Sequence, residues 1–353
     1  MENFFEEMKQ KVQELRTKKS VKILAIESSC DETSVAIVEN GRKVLSNVIS
    51  SQIDIHTRYG GVVPEIASRN HILAINPILE QALKEADLTL DDIDAIAVTQ
   101  GAGLVGALLV GVTSAKALSY ALKKPLIAVN HIKGHISANF IAHKDLKPPF
   151  VCLITSGGHT AIVKVCDYNR FTLIGSTQDD AIGEAFDKVA RIIGLGYPGG
   201  PKIDKMAQGE KGDIVFVKHD AFENSFDVSY SGLKTAVINY VHQKEQKGEK
   251  LDIKNICASF EHQAVDMLTQ KAIKACVQEE LQTIVLAGGV AANSYLRNSL
   301  TELGKRHNIE VKFPPLNLCG DNAAMIGSLA YFNLLTDDPA DLSLTAKPNI
   351  PLE

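Results

Sequence analysis

Two rhythms of apolar residues alternate along this chain, and together they predict an α/β protein. VKILAIESS (21–29) is a dense apolar run, the polar turn CDET follows, and SVAIVEN (34–40) resumes the run, which predicts a hairpin. KVLSNVISS (43–51) adds a third strand. From Val62 to Asp87 the residues Ile66, Leu73, Ile75, Ile78, Leu79 and Leu83 recur at helical intervals, so a long helix is expected, bent at Pro77. IDAIAVTQ (93–100) reads as a strand running into the apolar helix GAGLVGALLVGVTSAKALSYAL, and PLIAVN as the next strand.

The opening pattern then returns. PFVCLITSGGHTAIVKV (149–165) is again strand, tight polar turn, strand; FTLIGSTQ continues as a third strand and AIGEAFDKVARIIG as a helix. Three-stranded meanders thus begin near residues 21 and 149, a duplication of topology without an obvious repeat of sequence. LGYPGGPKID (195–204) reads as a Gly/Pro loop ending at a helix start, and 211–230 as an irregular surface insertion. Helices are expected over 231–242 and 253–279. TIVLAGGVAAN (283–293) is a buried strand with a glycine turn that opens the helix NSYLRNSLTELGKR. IEVKFPPLNLCGDN leads to a last helix, AAMIGSLAYFNLL, and an extended tail. At the other end Phe4, Phe5, Met8, Val12 and Leu15 predict an amphipathic helix, either a partner surface or a loosely docked extension.

Composition narrows the class. With 353 residues the chain exceeds one ordinary core, so two lobes are expected. A net charge of -5 excludes bulk coating of nucleic acid but leaves room for a local basic groove or a basic partner. The six cysteines (Cys30, Cys152, Cys166, Cys257, Cys276, Cys319) form no C-x-x-C pair and sit mostly in apolar runs, the pattern of reduced, buried thiols. No transmembrane run and no signal or transit peptide is read, so a cytoplasmic chain is expected.

Three features suggest chemistry. His131 and His135 lie one helical turn apart in NHIKGH, so both imidazoles leave one face of a helix that follows a strand. Taken alone, that pair reads more readily as a cap or lining of a core helix than as a metal site. GDN (320–322) offers Asp321 as a third ligand, for a two-histidine, one-carboxylate site with open positions, or as a helix N-cap. Four polar turns follow apolar strands: SSCDET, TSGGHT, AGGVAAN and LCGDN. Of these, Ser156, Gly157 and Gly158 could floor a phosphate cradle of a nucleotide cleft, or form an ordinary hairpin turn. Gly101, Gly103 and Gly106 make a G-x-G-x-x-G after a strand, but no acidic residue ends the next strand; close packing or passage of a backbone explains them better than a dinucleotide does.

ESSCDETS, NHIKGHISAN, ITSGGHT, GYPGGPKID, AGGVAAN and CGDNAAMI, in this order, resemble the tRNA adenosine threonylcarbamoyltransferase family (TsaD type), once described as O-sialoglycoprotein endopeptidases. The resemblance runs from about Val21 to Leu335. It implies the two-lobed fold of actin, heat-shock chaperone ATPases and sugar kinases, with 1–20 as an extension, 21–128 plus 322–347 as one lobe and 129–321 as the other. It implies transfer of threonylcarbamoyl from threonylcarbamoyl-AMP to the N6 amine of the adenosine 3′ of the anticodon, in tRNAs reading codons that begin with A. His131, His135 and Asp321 would hold one divalent ion per subunit, iron(II) ahead of zinc(II). Ile154, Thr155, Ser156, Gly157 and Gly158 would lie by the phosphate and threonylcarbamoyl moiety. Asp187, Gly200, Asp204 and Asn293 would hold the nucleoside, and Asp31 would serve the reacting carbon as base or orienting group.

Implied partners are tRNA, a paralogous dimer partner (TsaB type) and, in bacteria, a small ATPase (TsaE type), with no membrane. The alternative on the same fold is an ATP-hydrolysing regulator or small-molecule kinase. A zincin protease is disfavoured because Ile132, not glutamate, follows the first histidine. Lys133 departs from the acidic residue many members carry before the glycine of this motif.

Overall fold

The duplicated meander becomes two five-stranded sheets of matching strand order. The computed structural model describes residues 2–218 and 222–352 and divides into two compact units, one of residues 1–147, 167–170 and 320–353, the other of 148–166 and 171–319.

In the first unit α1 (Glu2–Thr17) precedes the meander β1 (Lys22–Glu27), β2 (Glu32–Glu39) and β3 (Lys43–Ser51), whose neighbours pair antiparallel. Short α2 (Ile53–Thr57) and long α3 (Pro64–Ala86, with Pro77 inside) lead to β4 (Ala95–Gly101), α4 (Val105–Leu122), β5 (Leu126–Asn130) and α5 (His131–Ala142). β4 lies parallel to β1 and to β5, giving the order β3-β2-β1-β4-β5. The second unit repeats this with β6 (Phe150–Thr155), β7 (Thr160–Asp167) and β8 (Arg170–Ser176), followed by α6 (Ile182–Ile192), α7 (Gly199–Ala207), α8 (Ser231–Gln246) and α9 (Ile253–Gln278). β9 (Thr283–Ala287), α10 (Ser294–His307) and β10 (Glu310–Lys312) complete it in the order β10-β9-β6-β7-β8. α11 (Ala323–Thr336) returns to the first unit.

Sheet periodicity explains why β1 reads as an unbroken apolar run. Leu24 and Ile26 face a core shared with Ile75 and Ile78 of α3 and Val112 of α4. Ala25 points the other way, where it and Val38 approach Gly327 of α11 closely enough that a Cβ there would clash. Covered on both faces, the strand can carry no polar alternation until Glu27. α4 is long and apolar enough to cross a membrane by length and composition, yet Ala107, Leu108, Val112 and Ala115 are buried within the unit against α3, β1 and β4. α1 is docked firmly: Met8 and Val12 are buried, and Arg16 donates to the carbonyls of Leu334 (2.9 Å) and Asp337 (2.8 Å).

The compact units change over after residues 147 and 319, whereas the expected lobes met at 128/129 and 321/322, and α5 packs against α11 and β5. The histidine helix therefore belongs with the meander that begins at residue 22. One expectation needs correction: GGPKID is not loop, since helix begins at Gly199, where Asp187 accepts the Gly199 N–H at 2.6 Å. The stretch 211–230 is irregular, and Ser259 and Gln263 of α9 accept from the N–H groups of Ile214, Phe216 and Val217. Within it, residues 219–221 lie outside the described residues.

Candidate metal centre and nucleotide-binding turns

The candidate metal centre lies where two helices begin. Asn130 caps α5, its Oδ1 accepting from the N–H groups of Ile132 (2.9 Å) and Lys133 (3.2 Å). That fixes His131 as the first helical residue and places His135 one turn later on the same face, the rings 4.7 Å apart and edge-on. Gly134 lets α5 and α11 pack closely: a Cβ there would come within 2.8 Å of Ile326 Cδ1. Their approach brings Asp321 to the histidines: its Oδ1 lies 3.1 Å from His135 Nε2 and 3.4 Å from His131 Nε2. One ligand atom from each residue lies within 4.8 Å of the others.

His135 is almost wholly buried, yet neither ring nitrogen has a hydrogen-bond partner; Nε2 sits near the Asp321 oxygen without hydrogen-bond alignment. A buried imidazole nitrogen is costly unless something binds it. Burial would hold the His131 imidazole down, but the facing carboxylates of Asp321 and Glu27 outweigh it and pull it well above the ordinary range. Burial likewise opposes ionisation of Asp321, and the two histidines overcome it and hold that carboxyl far below its usual range. The arrangement attracts positive charge, and two imidazoles with one carboxylate suit a divalent transition metal.

Asp31 stands in the turn between β1 and β2, buried, with its backbone carbonyl accepting from Gln52 N–H (3.0 Å). Burial, then the charges of Asp321 and Asp31, pushes neighbouring Glu32 up to about 9, and its Oε1 accepts from Ser51 Oγ at 2.9 Å. Buried His71 of α3 pins the same turn, its ring nitrogens 2.7 Å from Thr33 Oγ1 and 2.9 Å from the Cys30 carbonyl.

The second unit gathers the remaining predicted residues around three helix beginnings, those of α6, α7 and α10. Ser156 closes the SGG turn through its N–H to the His159 carbonyl (2.8 Å), and its Oγ accepts from the His159 N–H (3.0 Å). Gly157 and Gly158 face open space, whereas Gly183 of α6 lies so close that a Cβ would meet the Ser156 carbonyl at 2.7 Å. The turn is therefore seated on the start of α6, where the Gly183 N–H donates to the Ser156 carbonyl (3.3 Å) and the Ile182 N–H to Thr160 Oγ1 (2.9 Å). Thr155 reaches the Ala287 carbonyl (3.2 Å), tying this turn to the AGG turn. Ile154 is buried in β6. Asp204 accepts from Ser294 Oγ (2.5 Å) and N–H (3.2 Å) at the start of α10, and Gly200 opens α7 with nothing against it. Asn293 caps α10 through Leu296 N–H (2.8 Å) and donates to Glu261 at 2.6 Å.

Sequence reading missed Glu27, Ser29, Thr99 and Glu261. Glu27 had one visible signal, a carboxylate ending an otherwise apolar strand. Its Oε2 lies 3.0 Å from His131 Nδ1.

The TsaD family model, described as tRNA N6-adenosine threonylcarbamoyltransferase, matches residues 43–328. A tRNA N6-adenosine threonylcarbamoyltransferase of Clostridium perfringens is 60% identical over 331 residues, covering 94% of this chain and 98% of that one. Among solved structures, T. kodakarensis HypF matches with a TM-score of 0.61 at 13% identity over 90% of this chain and 47% of its own. Component A of the Acidaminococcus fermentans (R)-2-hydroxyglutaryl-CoA dehydratase matches with a TM-score of 0.53 at 14% identity, over 89% and 99%. At such identities these two establish fold alone, that of the actin-like ATPases and sugar kinases.

Proposed function

The chain belongs to the tRNA N6-adenosine threonylcarbamoyltransferase family, and from that membership we propose its reaction and the residues that carry it. It is a tRNA-modifying transferase that places a threonylcarbamoyl group on N6 of adenosine. The donor is threonylcarbamoyl-AMP, and the acceptor is the adenosine 3′ of the anticodon in tRNAs reading codons that begin with A. The observation that supports this best is the His131, His135, Asp321 cluster with its unpartnered, buried His135 nitrogens.

His131, His135 and Asp321 hold one divalent ion, iron(II) ahead of zinc(II), since two imidazoles and a carboxylate leave positions open for substrate oxygens. Bound there, the ion supplies Lewis-acid and template chemistry. The donor is a mixed anhydride with AMP as leaving group, so the chain need not provide a nucleophile. Ser156, Gly157 and Gly158, with the start of α6, receive the phosphate, and Ile154 and Thr155 fix the strand end that carries them. Gly200 leaves room for the nucleoside, and Asp187, Asp204 and Asn293 set the helix beginnings beside it. Asp31 accepts the proton of the attacking amine or orients it, held in the turn that His71 pins.

A net charge of -5 calls for help with tRNA; family membership implies a paralogous TsaB-type partner and, if the chain is bacterial, a small TsaE-type ATPase, acting in the cytoplasm. No observation favours an ATP-hydrolysing regulator or small-molecule kinase. The test is incubation with these partners, threonylcarbamoyl-AMP and unmodified tRNA, followed by nucleoside mass analysis. Threonylcarbamoyladenosine is the expected product; its absence, with donor intact, overturns the reading.

A further inference from the structure

Glu27 is the last residue of β1 and its side chain is fully buried. No positive side chain other than an imidazole pairs with it among the described residues. Its Oε1 accepts from the Ser29 N–H at 2.5 Å, and its Oε2 accepts from Thr99 Oγ1 at 2.6 Å while lying 3.0 Å from His131 Nδ1. Ser29 Oγ approaches the same Nδ1 at 3.1 Å. An ionised carboxylate can only accept, so the ring proton of His131 belongs on Nδ1. Where Nε2 carries no proton its lone pair faces the Asp321 oxygen at 3.4 Å, a pair that a cation between them satisfies; without one, a protonated Nε2 pairs with the carboxylate.

We propose that Glu27 is a positioning residue for the metal centre, keeping the His131 proton on Nδ1 and its Nε2 lone pair turned toward the ion. This rests on the reading of His131, His135 and Asp321 as metal ligands. The turn after β1 and strand β4 supply the anchors, since Ser29 and Thr99 hold both carboxylate oxygens and leave Glu27 a single orientation. Glutamine cannot replace it. Whichever way its amide turns, the NH2 group faces either the Ser29 N–H or the pair Thr99 and His131. In the second case the ring proton is driven to Nε2, where it blocks the metal. Carboxylate–histidine–metal relays commonly work this way, and their loss weakens metal binding about 10- to 100-fold.

The experiment uses the full chain as wild type, Glu27→Gln and His135→Ala, with zinc(II) as the probe ion and affinity read by chelator competition. Glu27→Gln should bind zinc about 10- to 100-fold more weakly, and His135→Ala should lose it. Imidazole 15N spectra of the zinc-loaded wild type should show His131 protonated at Nδ1 and coordinated at Nε2. In chelator-treated Glu27→Gln the proton should move to Nε2, which a purely structural role for Glu27 would not cause. Zinc affinity unchanged in Glu27→Gln overturns the inference alone, as does coordination through Nδ1 in the wild type should the variant fail to fold. A wild type that binds neither zinc nor iron overturns the ligand assignment beneath it.

Discussion

Asn322, not its neighbour Asp321, caps α11. The Asn322 Oδ1 accepts the Met325 N–H at 3.1 Å and its Nδ2 donates to the Gly320 carbonyl at 2.8 Å, which leaves the Asp321 carboxylate free to face His131 and His135. Two adjacent polar residues thus divide two tasks that either could perform. Separate substitutions should separate the effects. Asn322→Ala should cost about 1 kcal/mol in urea unfolding and retain metal. Asp321→Asn should lose metal through gel filtration, read by elemental analysis, without a comparable loss of stability in the metal-free protein.

How far the sequence discloses this arrangement depends on the range of the interaction. The meanders were legible because period and turn chemistry are local, and the matching strand orders follow from them. The pairing of His131 and His135 was legible because one helical turn fixes it. Whether Asp321 was cap or ligand was not: the choice depends on Gly134 admitting α11, a contact across nearly two hundred residues. The grouping of α5 with the first unit likewise rests on its packing against α11. Glu27 stayed hidden because a strand-end glutamate ordinarily points to solvent, and only Thr99 and His131, brought by β4 and α5, make it a buried acceptor.

The seating of the SGG turn on α6 yields a prediction for the second unit alone. Gly183→Ala places a methyl 2.7 Å from the Ser156 carbonyl and 2.8 Å from Gly157 Cα, so turn or helix must shift. Overpacking of this kind costs about 1–3 kcal/mol, and here it falls on the turn read as the phosphate floor. Calorimetric titration with AMP should show weaker binding, with metal content at the first unit unchanged. Binding equal to wild type would remove the turn from the nucleotide reading.

Glu261 gives a pH dependence. Burial pushes its carboxyl up to about 7, opposed by the Asn293 hydrogen bond and reinforced by the charge of Asp204. The folded chain therefore holds this proton more tightly than the unfolded chain does. The stabilisation is complete below about pH 4.5 and declines as pH rises toward 7, by about 3 kcal/mol in all. Glu261→Gln has no such proton to lose. The difference in denaturant stability between variant and wild type should grow in the variant's favour from pH 4.5 to 7 and level off above. A difference that stays flat across that window would refute the assignment.

The Gly-rich turn that resembled a dinucleotide motif is occupied by the chain's own tail. A Cβ at Gly101 would overlap the Lys347 carbonyl, and Gly103 N–H donates to the Pro348 carbonyl at 3.0 Å. Lys347 N–H returns a bond to the Gln100 carbonyl (2.8 Å), and Gln100 Nε2 reaches the Thr345 carbonyl (3.1 Å). The strap continues to Asn130, whose Nδ2 donates to the Pro351 carbonyl at 3.2 Å while its Oδ1 caps the helix that begins with His131. The tail thus bears on both the end of β4 and the cap of the metal-bearing helix. Deleting 345–353 removes these bonds, at about 1 kcal/mol each, and frees the Asn130 amide. Unfolding should shift by a few kcal/mol, and zinc affinity should fall although no ligand is removed. Gly101→Ala should reproduce both effects in the full-length chain, because its methyl displaces Lys347 without shortening anything. If deletion destabilises the chain while zinc affinity holds, the tail supports the sheet alone and Asn130 keeps α5 capped unaided.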